Sequence, residues 1–122
     1  MPIVDIEVVS IGEGAELGAP ATKLANSLGA VFGSQPGHVW VRLRTLSASA
    51  YAENDTTLSP TELPVFVTVL HAHLPEEEAM VEQIAQVTQS VAACLGLSPE
   101  RVHVQYAPKA AGRQAFGGAL VR

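Results

Sequence analysis

Cysteine is all but missing from this chain. Cys94 stands alone, so no internal disulfide can form, and a reduced, cytoplasmic setting is expected. Basic residues are also scarce: seven Lys and Arg face twelve Asp and Glu, for a net charge of −5. The densest basic stretch is Arg42-Leu43-Arg44, too little for a phosphate-backbone binder, so no nucleic-acid partner is expected. No apolar run approaches the roughly 18 residues that a membrane span requires, and no charged leader precedes an apolar core; no membrane partner is expected. His71 and His73 lack a third partner at metal-ligand spacing, so no metal site is expected. What remains is a chain of 122 residues, 48% hydrophobic and 16% charged. That fits one folded domain, and the low charge implies more buried surface than a monomer needs.

Alternation marks the strands. Pro2 to Val9 puts Val4, Ile6 and Val8 on one face and Asp5 and Glu7 on the other. A Gly-rich connection with Glu13 and Glu16 follows, and Pro20 opens a helix whose stripe is Ala21, Leu24, Leu28 and Val31 or Phe32. His38 to Arg44 alternates again, with His38, Trp40, Arg42 and Arg44 opposite Val39, Val41 and Leu43. A polar connector spans residues 47–63. Pro64 to Leu70 is apolar at nearly every position, which predicts a central strand covered on both faces. A second helix opens at Pro75-Glu76-Glu77-Glu78, buries Val81, Ile84, Thr88, Val91 and Leu95, and stops at Gly96. Val102 to Tyr106 is the fourth strand.

The two halves repeat. Pro2 matches Pro64 and Gly33 matches Gly96, at offsets of 62 and 63 residues. Two tandem βαβ units, residues 1–46 and 64–106, with a C-terminal hairpin segment over 107–122, give an α+β (α/β) fold. Its four-stranded mixed sheet carries both helices on one face. The other face, with Trp40, is expected to meet a partner subunit.

Pro2 has two readings. It starts a strand harmlessly, since its missing N–H costs little there; or, with Met1 removed, it carries a secondary amine that can take a proton. Pro64 has no such option. Arg42 and Arg44 are read either as a solvated strand face or as an anion clamp, Trp40 as an interface residue and Cys94 as an inert core thiol.

Met1-Pro2 heading the first strand, the duplicated βαβ unit and the C-terminal segment together resemble the tautomerase superfamily. Leu97-Ser98-Pro99-Glu100-Arg101-Val102-His103-Val104-Gln105-Tyr106 is similar to the macrophage migration inhibitory factor branch. Gly112-Arg113-Gln114-Ala115-Phe116-Gly117-Gly118 is similar to the C-terminal hairpin of 4-oxalocrotonate tautomerase. The resemblance implies a homotrimer and a cofactor-independent keto–enol tautomerase of a 2-oxo acid, phenylpyruvate-like or unsaturated. Pro2 would be the general base after Met1 is removed. His103 would polarise the substrate beside Gln105, both supplied by a neighbouring subunit. Ser34 stands where the cytokine-like branch has a carboxylate-binding lysine, leaving Arg42, Arg44, Lys109 and Arg113 as replacements and Phe116 as a pocket wall. Two alternatives stand beside it: a hydratase or dehalogenase using a protonated Pro2 as acid, and a trimeric binding or structural member whose site has decayed.

Overall fold

The computed structural model describes residues 2–12 and 18–122; the expected connection with Glu13 and Glu16, and Met1, lie outside them. Strand β1 (Ile3–Ser10) leads to helix α1 (Gly18–Val31), strand β2 (Trp40–Ser47) and, after the connector, strand β3 (Val65–Leu70). Helix α2 (Glu77–Leu95), strand β4 (Val102–Tyr106) and the short hairpin β5 (Ala115–Phe116) and β6 (Ala119–Leu120) complete the chain. The sheet order is β2-β1-β3-β4. β1 runs parallel to β2 and antiparallel to β3, and β3 runs parallel to β4. The expected duplicated βαβ architecture and mixed sheet are present.

Strand parity sorts the side chains into two faces. Val4, Ile6, Val65, Val67, Val69 and Val102 point into one core with Leu24 and Leu28 of α1 and Val87, Val91 and Ala92 of α2. Nearly all of these are 0% exposed, and each large aliphatic side chain buried this way stabilises the fold by about 1.5–3 kcal/mol. The opposite face stays open within the chain.

Three details depart from the sequence reading. β2 begins at Trp40, because His38 is still held in a turn by its N–H to the Gln35 carbonyl, 3.1 Å; it continues to Ser47. β3 is internal, but Phe66, Thr68 and Leu70 are only half-buried, since only the helix-side face is covered. In α2, Val81 is 64% exposed and Val87 is 0% exposed. Val87 lies three residues after Ile84 and four before Val91, in phase with the core, whereas nothing packs over the flank where Val81 sits. Gly96 does end α2, in the left-handed conformation at φ 68°, with its N–H reaching the carbonyls of Ala92 and Ala93. β5 and β6 pair antiparallel, and Gly117 and Gly118 between them both take positive φ, as a two-residue turn requires.

Candidate active site

Pro2 is fully buried at the start of β1. Its carbonyl accepts the Trp40 N–H at 3.1 Å, which fixes the residue against β2. On the other side, the β1–β3 register pairs Ile3 with Leu70, so continuing it by one residue sets Pro2 opposite His71. The Val9 N–H, seven residues further along, donates to the Pro64 carbonyl at 3.1 Å, and hydrogen-bonded pairs alternate along an antiparallel ladder. By that alternation the continued register at Pro2 and His71 is of the type without mutual backbone bonds, in which side chains come closest. Both share the parity of the helix-covered face.

His71 is locked in place by three elements. Its Nε2 lies 3.0 Å from Gln83 Oε1 on α2, and the Tyr106 hydroxyl of β4 donates to that same oxygen. An oxygen that already accepts from Tyr106 accepts from His71 too, so Nε2 carries the ring proton and Nδ1 keeps its lone pair. The imidazole meets Phe32, just past α1, edge-on at 5.1 Å and stacks on Tyr106 at 5.9 Å. Burial holds the His71 pKa below its ordinary value, opposed by the Gln83 hydrogen bond, and pushes Tyr106 up to about 12. Both groups are thus neutral at pH 7. Because the folded protein disfavours His71 protonation, the unfolded chain binds that proton first as pH falls below about 6.5. Stability should decline from there down to the folded pKa, with a slope of at most about one proton. Denaturant unfolding between pH 8 and 5 tests this: the His71→Gln protein should lack that slope, and equal slopes would place the titration elsewhere.

The open face carries the polar residues as cross-strand rows. Arg42, Asp5, Thr68 and Gln105 stand side by side, as do Arg44, Glu7, Phe66 and His103. Arg42 donates from Nε to Asp5 Oδ1 at 2.5 Å and from Nη2 to Oδ2 at 2.8 Å. Arg44 Nε lies 3.7 Å from Glu7 Oε2. Gln105 donates to Thr68 Oγ1 at 3.0 Å, and the His103 ring lies 5.7 Å from that of Phe66. A concavity of about 430 Å³ runs over Asp5, Glu7, Arg44, Phe66, Thr68, His103 and Gln105.

The residues singled out from the sequence fall into separate places. His103, Gln105 and Arg44 share this concavity. Phe116 packs on Trp40 at 4.9 Å and lines a second hollow with Arg42 and Ile3. Lys109 and Arg113 line a third. Pro2 joins none of them within one chain: His103 is level with Glu7 across the sheet, about 16 Å along the strand from Pro2. The His71–Gln83–Tyr106 cluster is what the sequence reading missed, although it set His71-Ala72-His73 near the pocket wall as well as weighing the two histidines as a metal pair. His73 Nε2 instead lies 3.3 Å from the Arg122 carbonyl, and the described residues hold no group of three or more metal-ligating side chains. The signal was parity, since 65, 67, 69 and 71 all point inward. Cys94 is half-buried, as a packed thiol should be. Among the described residues, no helix is long and apolar enough to cross a membrane.

No protein-family model and no curated protein matches the sequence. Solved structures do match the fold. The F6 fused 4-OT, an asymmetric trimer, is similar at a TM-score of 0.77 and 18% identity, over 98% of this chain and 95% of that one. The macrophage migration inhibitory factor homologue from Prochlorococcus marinus aligns at a TM-score of 0.70 and 15% identity, over 98% and 99%. Malonate semialdehyde decarboxylase, described by its decarboxylase and hydratase activities, aligns at 0.67 and 18%, over 94% and 90%. Across this range of chemistries, and over nearly its whole length, the chain has the tautomerase-type fold.

Proposed function

We propose that this protein is a cofactor-independent keto–enol tautomerase of a 2-oxo acid, working as an oligomer, with the Pro2 nitrogen as general base once Met1 is removed. The observation that carries this reading is the setting of Pro2: fully buried, anchored through its carbonyl, and opposite a neutral histidine. A free α-amine has a reference pKa of about 7.7–8.0, and a prolyl amine lies higher. Burial disfavours its ammonium form and lowers that value toward neutrality, where a base takes a proton next to a carbonyl most effectively. The enolate oxygen then needs donors. His103 and Gln105 serve from a neighbouring copy, because within one chain they lie too far along the sheet. The trimeric fused 4-OT structures support such an assembly.

Intact mass and titration of a 15N-labelled Pro2 test the base directly. The expected result is a chain without Met1 and a prolyl nitrogen that titrates near neutral pH. A retained Met1 makes that nitrogen an amide and ends the proposal. A midpoint well above neutral would instead support the acid reading, in which a protonated Pro2 polarises the substrate for hydration. The likeness to malonate semialdehyde decarboxylase keeps that alternative in view.

A further inference from the structure

Four cations compete for a substrate carboxylate, and their surroundings separate them. Arg42 has two donors on the Asp5 carboxylate, and Arg44 stands beside Glu7, so each already has a counter-charge on its own sheet. Lys109 and Arg113 have none within ion-pair distance among the described residues. They are four residues apart across one tight turn, in which the N–H groups of Arg113 and Gln114 both reach the Ala110 carbonyl, at 2.8 and 2.9 Å. The turn is anchored: Ala110 is 2% exposed, and its N–H donates to the His71 carbonyl at 2.8 Å. The two side chains line one hollow of about 200 Å³ with Leu70, Pro108 and Gln114, and no acidic residue lines it. In a chain of net charge −5, two uncompensated cations sharing a hollow repel each other unless an anion fills it. The volume lies below the usual range for drug-sized ligands and suits a small acid head. Leu70, which lines the hollow, is the cross-strand partner of Ile3, the residue after Pro2, so the hollow lies at the same end of the sheet as Pro2.

We propose that Lys109 and Arg113 form the carboxylate subsite of the Pro2 site and select a small 2-oxo monocarboxylate by its acid group. This rests on the tautomerase reading, but its test does not require turnover. Benzoylformate is a 2-oxo acid with no enolisable C–H, so its binding can be measured by calorimetry or NMR in the absence of reaction. The doubly substituted Lys109→Gln/Arg113→Gln protein should bind it about tenfold more weakly or worse, the scale set by charge-assisted hydrogen bonds. Arg42→Gln should change binding by less than about threefold, its charge being committed to Asp5. Benzoylformamide, which lacks the charge, should bind equally weakly to the wild type and the double variant. Both substituted side chains are exposed, and circular dichroism checks that the fold survives. Unchanged benzoylformate binding in the double variant, an equal loss in Arg42→Gln, or no saturable binding to the wild type at millimolar concentration would each overturn the subsite. Pro2→Ala separates the two proposals: retained turnover there overturns the base alone, and retained benzoylformate binding with lost turnover upholds both.

Discussion

Replacing Pro2 with alanine, in a chain freed of Met1, is expected to slow ketonisation of phenylenolpyruvate about a hundredfold or more, within the range that a positioned general base contributes. The alanine nitrogen is still an amine, so basicity alone does not account for the loss. What disappears is the ring, which fixes φ and fills the buried position beside β2. An unconstrained primary amine samples directions that the pyrrolidine nitrogen cannot. A chain that keeps Met1 should be at least as slow, because an amide nitrogen has no basic lone pair. The check is ultraviolet ketonisation on both proteins, with intact mass measured on the same samples. Equal rates for the wild type and Pro2→Ala would leave this proline a structural residue.

Ile6→Ala should cost about 2–5 kcal/mol of stability, the range for large-to-small changes in a tight core. Ile6 is 0% exposed, in the middle of β1, flanked across the sheet by Leu43 and Val67. It faces a layer closed by α1 and α2, so the space it vacates has little room to collapse. Denaturant unfolding at pH 7.5 gives the number. A cost below about 1 kcal/mol would mean that the layer relaxes around the gap, contrary to the packing described.

The fold was legible because its strands obey parity and its halves repeat. Val4 and Ile6 inward against Asp5 and Glu7 outward fixed the orientation of β1, and Pro64 repeating Pro2 fixed the second unit. Helix phase was less legible. Val81 and Val87 are both valines near the stripe of α2, and only the place where the sheet lies beneath the helix decides between them. The site was legible in its residue types but not in its pairings. That Asp5 neutralises Arg42 depends on the parallel register of two strands 37 residues apart, which no local pattern contains. Gln83, an ordinary helix residue by composition, acquires meaning only where His71 and Tyr106 converge on its amide oxygen.

The sheet order leaves β2 and β4 as its two margins. Along β2, eight residues offer one side of their backbone to whatever comes alongside, long enough to template the strand of a stranger and seed aggregation. Arg42 and Arg44 are exposed on that edge strand, and they reach across to β1. The pairs they make with Asp5 and Glu7 are surface contacts of small energetic value. Charged side chains along an edge strand disfavour promiscuous pairing.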